Sequence, residues 1–361
     1  MNKLKNSILK GLKKIAYPVC AIIVAIFISV FFVIWAKEDS VFHYFSTLTD
    51  LFSVIWKGSF ATKRQAFTTL EYITPLIFTG LANAIAFKTG LFNIGVEGQF
   101  MMGMLAAGII GVIPGLNVFI HIPLMIIGGM LAGGVWGSIP GYLKAKLGIN
   151  EVINSIMMNY IALNIINLLI LRTAIGEQRK AATPIIQISA MIPRFNNLSR
   201  ANIGIIIGII FAIFVFWLLW KTTIGYELRA VGNNPQGAEY GGINIAKNMI
   251  IAMGLSGAIA GIGGALQVSG ILHQVQNFVD LPGYGFDGIA VALLAKSNPI
   301  GCIFAAILFG TLNSSSKILQ LNDIPKQIVY LIQAVVIIFI ATDYIVKYFK
   351  EKKKKKVIVN G

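Results

Sequence analysis

Charge is scarce in this sequence. Only 12% of its 361 residues are Asp, Glu, Lys or Arg, against about 25% in ordinary soluble domains. That is too little charge to wet the surface of a soluble chain of this length. Cysteine is nearly missing: Cys20 and Cys302 lie far apart, each within an apolar run, which excludes a disulfide framework and a Cys-x-x-Cys metal site. His43, His121 and His273 are equally scattered, so no histidine-based metal motif exists. No glycine-rich phosphate-binding sequence ending in Gly-Lys-Ser/Thr occurs. If ATP drives this protein, another chain must hydrolyse it. With no Cys/His nucleophile pair either, the chain is read as non-catalytic and without a cofactor or metal of its own.

Apolar residues fill the space that charge leaves, at 56% of the chain. Several stretches run about 20 residues with almost no charge, the length that crosses a bilayer as a helix. In lipid every backbone polar group needs an internal partner, so a span is a helix or part of a closed barrel. The runs are continuous rather than alternating, which selects helices. The expected fold class is therefore all-α, a polytopic membrane helix bundle of about ten spans, some short or broken. The segments fall near 15–36, 66–87, 94–114, 118–143, 150–171, 203–220, 248–270, 286–298, 299–319 and 326–346. The first is read as an uncleaved anchor, because its apolar run is long for a signal peptide and no small-x-small cleavage site follows it.

The net charge of +16 reflects lysines gathered at the two ends, and it carries no implication of nucleic acid. Placing the N-terminus inside and alternating puts nineteen of the thirty Lys and Arg on the inner side and eleven on the outer. Such a bias orients a membrane protein with both ends in the cytoplasm. The expected organisation is a basic N-terminus over 1–14, a membrane domain over 15–346 and a Lys-rich tail over 347–361, which is drawn to anionic lipid. The outer loop 172–202 departs from the bias with Arg172, Arg179, Lys180, Arg194 and Arg200. The aromatic stretch within 37–65 is expected at the outer interface, where Trp and Tyr favour the headgroup level.

Three features carry functional content. GLFNIGVEGQFMMGMLAAG, residues 90–108, starts a span with glycines and then clusters Asn93, Glu97 and Gln99. PGYGFDGIAVALLAKSNPIG, residues 282–301, repeats the arrangement with Phe286 and Asp287 ahead of a short apolar run. Paired, glycine-interrupted short segments in opposed halves point to broken helices beside a central route, and Asn93, Glu97, Gln99, Phe286 and Asp287 are expected to line it. The third feature is the polar segment 221–247, on the inner side. Asn234 as cap and Pro235 in the first turn predict a short helix over 236–240, a docking element for a soluble partner. Gly129/Gly133 and Gly257/Gly261 have the spacing that lets helix backbones approach closely in lipid.

FNIGVEGQ (92–99), GYELRAVGNNPQGAEYGGIN (225–244) and GYGFDGIAVALLAKSNPIG (283–301), in this order, resemble the permeases of bacterial ABC importers of the ribose/branched-chain amino acid superfamily. The nucleoside branch, which works with a basic membrane lipoprotein, is the closer match. The sugar branch has a G-x-D-L-S-V-G type sequence where this chain has FNIGVEGQ. The resemblance covers roughly 60–346. It implies a subunit of the bacterial cytoplasmic membrane that translocates nucleosides. It also implies an ATPase partner with two fused cassettes, dimerisation with itself or a second permease, and an extracellular substrate-binding lipoprotein. On the matching positions it implies ATPase coupling through Gly225, Glu227, Arg229, Gly232, Pro235, Ala238, Glu239 and Gly242. Rival readings are a simple-sugar or branched-chain amino acid permease, a secondary transporter using Glu71, Glu97 or Asp287 as ion sites, and a non-transport scaffold.

Overall fold

A computed structural model describes residues 24–35 and 41–339. The lysine-rich ends, Cys20, the start of the first apolar segment and the end of the last lie outside those residues. Among the described residues the chain is helical: α1 (Val24–Trp35), α2 (Tyr44–Ser59), α3 (Lys63–Lys88), α4 (Val96–Gly111), α5 (Val118–Leu147), α6 (Glu151–Arg172), α7 (Gly204–Lys221), α8 (Thr223–Asn233), α9 (Pro235–Tyr240), α10 (Ile245–Gln267), α11 (Tyr284–Leu294), α12 (Pro299–Leu321) and α13 (Gln327–Phe339). Each apolar segment of the sequence holds one of these helices. Six of them, α3, α5, α6, α7, α10 with its terminal turn, and α12, are long and apolar enough to cross a membrane. α4 and α11, the two glycine-led segments, are among the shorter apolar helices. The region 221–247 is more ordered than a linker, for it forms α8 and α9 in succession.

The described residues divide into two compact units, those within 1–65 and 312–361, and those of 66–311. Within the first, Tyr44 Oη donates to the Phe27 carbonyl at 2.7 Å, and Gln333 Nε2 donates to Asn313 Oδ1 at 2.9 Å. α2 leaves Phe42, just before it, and Phe45, Phe52 and Trp56 exposed, the aromatic stretch that the sequence singles out.

The second unit is organised around α4, α5 and α10. α5 runs antiparallel to α10, with Gly129 opposite Gly261 and Gly133 opposite Gly257. A Cβ on Gly257 would overlap the Gly133 carbonyl, and one on Gly261 the Gly129 carbonyl. The two small-residue spacings are thus the two faces of one seam, which lets the backbones touch where leucines would hold them apart. Gly257→Leu drives a side chain into a backbone carbonyl. Overpacking of this kind costs about 1–3 kcal/mol or more, and here the clash is with main chain that has nowhere to move. We expect this variant to lose its monodisperse size-exclusion peak in detergent, with Gly257→Ala between it and the parent; a normal peak for Gly257→Leu would show that the seam can open.

The segment 173–203 folds over the end of α10. Thr183 N donates to the Val275 carbonyl at 2.8 Å, Ile186 N to the His273 carbonyl at 2.9 Å and Ile192 N to the Ser269 carbonyl at 3.0 Å. α10 itself ends in a five-residue π-helical turn, Val268–Leu272, closed by His273 in the left-handed region.

Candidate functional site

The first part of the site is a polar junction inside the second unit. α3 ends at Lys88, and the chain turns through 89–95 into α4. Asn93, fully buried, holds that turn. Its Nδ2 donates to Gln99 Oε1 at 3.0 Å and to Ser256 Oγ at 2.9 Å, and its Oδ1 accepts from Gly95 N at 3.0 Å. Ser256 Oγ in turn donates to the Ala82 carbonyl at 2.7 Å. Asn159 of α6 donates from Nδ2 to the Ile94 carbonyl at 3.0 Å and accepts from Gly98 N at 2.8 Å. Four elements, α3, α4, α6 and α10, therefore meet on one turn. Buried amides survive in an apolar bundle only with their hydrogen-bonding groups paired, and those of Asn93 are.

Glu97 extends the junction to α11. It lies in the first turn of α4 and is wholly buried. Its Oε1 accepts from Gly283 N at 2.7 Å, and its Oε2 accepts from Gly285 N. Gly283 is the N-cap position of α11 and has no side chain to cap it. The first N–H groups of a helix have no partner within it. A carboxyl group from a distant helix thus performs the task that Ser or Asp performs at most helix starts. Asn83 Nδ2 adds a long bond to the Gly285 carbonyl at 3.4 Å. A Cβ on Gly285 would overlap the Glu97 backbone nitrogen, so only glycine admits this contact.

The two glycine-led segments are thus brought together, N-terminus against N-terminus. Asn93 and Gln99 turn inward as bracing, while Glu97 joins the halves. Phe286, in the first turn of α11, is 41% exposed, and Asp287 beside it is half-buried. Tyr284 lies against Phe100, with ring centroids 5.2 Å apart and planes tilted by 37°, and its Oη accepts from Gln267 Nε2 at 3.0 Å.

The second part is the surface of α8 and α9. Asn234 Oδ1 accepts from Gly237 N at 3.0 Å, and Pro235 stands in the first turn, as the sequence predicts. Of α9 only Ala238 is buried; Pro235, Gln236, Glu239 and Tyr240 are exposed, Tyr240 to 96%. Gly242 follows with a φ of +80° and has nothing within 4 Å of where a side chain would begin. Beside this surface lies an open recess of about 580 Å³, lined by Lys144, Glu239, Gly242, Ile243, Asn244 and Met249 among others. Glu227 and Arg229 are held within the chain. Glu227 Oε2 accepts from Asn248 Nδ2 at 2.9 Å, and Arg229 Nε donates to the Leu219 carbonyl at 2.8 Å. Gly225 and Gly232 face neighbouring backbone. Tyr240 is the exposed residue that the sequence reading passes over; an aromatic side chain in a six-residue polar helix between glycines was the available signal.

At the opposite end of α10, His273 Nε2 lies 2.9 Å from Arg194 Nη2. The guanidinium has only donors, so Nε2 accepts and the ring is neutral in this contact. Burial, then Arg194 and Arg200, hold the His273 pKa below its ordinary 6.5. The unfolded chain therefore takes up the proton first as pH falls. The contribution of His273 to stability is complete above about 6.5 and is lost as pH drops through the lower folded-state value. We expect the Tm of the parent in detergent to fall on acidification below that point more steeply than that of His273→Gln; parallel curves would remove this contribution.

Residues 65–341 match the family described as branched-chain amino acid transport system / permease component. The chain is similar to the guanosine ABC transporter permease protein NupP of Bacillus subtilis (strain 168), 37% identical over 309 residues that cover 84% of this chain and 89% of that one. It is also similar to the nucleoside ABC transporter permease protein NupB of Lactococcus lactis subsp. cremoris, 34% identical over 355 residues that cover 95% and 94%. The glucose ABC transporter permease protein TsgB13 of Haloferax volcanii is 26% identical over 313 residues that cover 83% and 82%. No solved structure matches.

Proposed function

The chain belongs to the branched-chain amino acid transport system / permease component family, and from that premise we propose that it is the membrane-spanning permease subunit of an ATP-driven importer of nucleosides. It is a multi-pass membrane protein. The nucleoside assignment is supported by the names of two relatives, 37% and 34% identical; the glucose permease lies further away at 26%.

The observation that carries the coupling role is α9. It is a short, capped helix that presents Glu239, Tyr240 and Gly242 outward beside an open recess. In this reading the α8/α9 end faces the cytoplasm, in keeping with the distribution of Lys and Arg, and α9 docks on a separate ATPase with two fused cassettes. ATP stays with that partner. A second permease or a second copy of this chain completes the membrane assembly, and an extracellular lipoprotein delivers substrate in the bacterial cytoplasmic membrane. The domain bounds proposed are 1–14, 15–346 and 347–361, with coupling over 221–247. Glu97, Phe286 and Asp287 stand beside the route, and Asn93 and Gln99 brace it. A Glu in an apolar bundle also fits an ion-coupled carrier, but the bonds of Glu97 to Gly283 and Gly285 favour a structural joint.

The test is uptake of labelled nucleoside by cells carrying the gene with its partners. ATP depletion is expected to abolish uptake, and a proton ionophore at constant ATP to spare it. The reverse pattern would replace the importer by a secondary carrier, and uptake of glucose but no nucleoside would move the substrate class.

A further inference from the structure

α8 is built as a stiff arm between α9 and the polar junction. At its root, Thr222 Oγ1 accepts from Gly225 N at 3.1 Å, and a Cβ on Gly225 would overlap the Leu218 carbonyl at the end of α7. Arg229, one turn on, donates from Nε to the Leu219 carbonyl at 2.8 Å and to the Gly225 carbonyl at 3.3 Å. Its guanidinium carbon lies 5.7 Å from the Trp220 ring centroid, and Lys88 Nζ at the end of α3 lies 5.7 Å from the same ring. Cations within about 6 Å of an indole are attracted to it, so Trp220 ties α8 to α7 and α3 together.

At the far end of α8, next to α9, Gly232 rests on the last turn of α3. A Cβ there would overlap the Lys88 carbonyl oxygen and lie 2.8 Å from the Thr89 carbonyl carbon. Gly90 faces it with a φ of +75°, its own Cβ position 3.3 Å from Gly232 Cα. Leu91 N donates back to the Ala86 carbonyl at 3.0 Å, the closing bond of a glycine-ended helix. This is backbone on backbone, with no side chain between that could rotate aside.

Leu91 is buried, and from Asn93 on the turn is pinned. The Asn93 side chain, the Ile94 carbonyl, Gly95 N and Gly98 N are each bonded to a buried partner, and Glu97 is bonded to the start of α11. These bonds leave few places within 91–97 where a displacement of Lys88–Gly90 can be absorbed. Energetic coupling travels through such contiguous packed and hydrogen-bonded chains.

We propose that α8 is the lever of this protein: movement of α9 is delivered through Gly232 to the Lys88–Gly90 turn, and through 91–97 and Glu97 to α11. Gly232 and Gly90 are its positioning residues, and the Trp220 bracket is its pivot. The proposal rests on the reading of α9 as the ATPase-docking helix, and its test separates the two.

Single cysteines at Tyr160 on α6 and Phe286 on α11, both exposed, are introduced after Cys20 and Cys302 are replaced. They are spin-labelled, and the complex with its ATPase is measured with and without a non-hydrolysable ATP analogue. In the parent the 160–286 distance distribution is expected to shift on nucleotide binding. In Gly232→Ala it stays in the nucleotide-free position while the ATPase co-purifies in parental amount. Gly90→Asn keeps the left-handed backbone, which Asn tolerates, yet adds bulk against Gly232, and is expected to behave in the same way. Nucleoside transported per ATP hydrolysed, measured in the unlabelled protein with Tyr160 and Phe286 in place, falls about tenfold in both, within the range of mutations along a coupling chain. A parental shift retained in both variants overturns the lever. So does a parent without any shift, or a loss in step with reduced ATPase capture, which makes Gly232 part of the docking surface. Failure of the parent to take up nucleoside, with the nucleotide-driven shift intact, overturns the substrate reading and leaves the lever standing.

Discussion

Glu97→Gln is expected to cut nucleoside uptake by at least tenfold and to lower the Tm of the purified protein. The two carboxyl oxygens of Glu97 accept from two different backbone nitrogens, Gly283 and Gly285. Glutamine offers one acceptor and turns an NH2 donor toward the other N–H. A buried donor left without a partner costs about 1–3 kcal/mol, and in a fully enclosed position water cannot repair it. A factor of ten corresponds to about 1.4 kcal/mol, so a cost in the middle of that range is sufficient. Glu97→Asp keeps both oxygens but draws them back by a methylene, and it is expected to lie between glutamine and the parent. Glu97→Leu, which leaves both nitrogens bare, is expected to be the worst of the three. Tm by nanoscale fluorimetry and uptake in the same membranes form the check. Parental uptake in Glu97→Gln would show that α11 does not need its cap.

The second large effect is expected at α9. Glu239→Lys reverses an exposed charge to which nothing bonds among the described residues, so the protein is expected to fold and to retain part of its ATPase. A residue at the centre of a protein interface carries about 2 kcal/mol or more, which translates into a loss of more than tenfold in uptake per ATP hydrolysed. Gly242 provides a sharper contrast. Its side-chain position is open in this chain, so the intramolecular penalty of substitution is the left-handed backbone, about 1–2 kcal/mol for most residues and less for Asn. Gly242→Leu and Gly242→Asn are therefore separable: loss in both points to a partner surface that fills the open space, and loss in Leu alone points to backbone strain. Full, ATP-coupled uptake in Glu239→Lys and both Gly242 variants would count against α9 as the coupling element.

Much of this was legible in the sequence because it depends on local rules. Apolar runs of spanning length need no partner to be recognised, and Asn234-Pro235 marks a helix start by the backbone chemistry of two adjacent residues. Gly129/Gly133 and Gly257/Gly261 announce close packing, though not with whom. The reading was weaker where a polar segment was treated as a loop. Residues 223–233 are an amphipathic helix whose inward face carries Gly225, Leu228 and Gly232. Arg229 and Glu227 bond within the chain, while Glu239 and Tyr240 are left exposed. Two charged residues in a short polar stretch look alike whether they brace a helix or wait for a partner; the backbone around them makes the difference.

Class, helical content and the position of α9 were thus determined by the sequence, since composition and near-neighbour chemistry govern them. The pairing of Glu97 with Gly283, 186 residues away, was decided by tertiary structure alone, as was the seat of Gly232 on the end of α3. In both cases the partner is a main-chain N–H or C=O. Every residue carries such groups, so no side-chain pattern singles out the one that will be met, and only the packing of the helices brings it within reach.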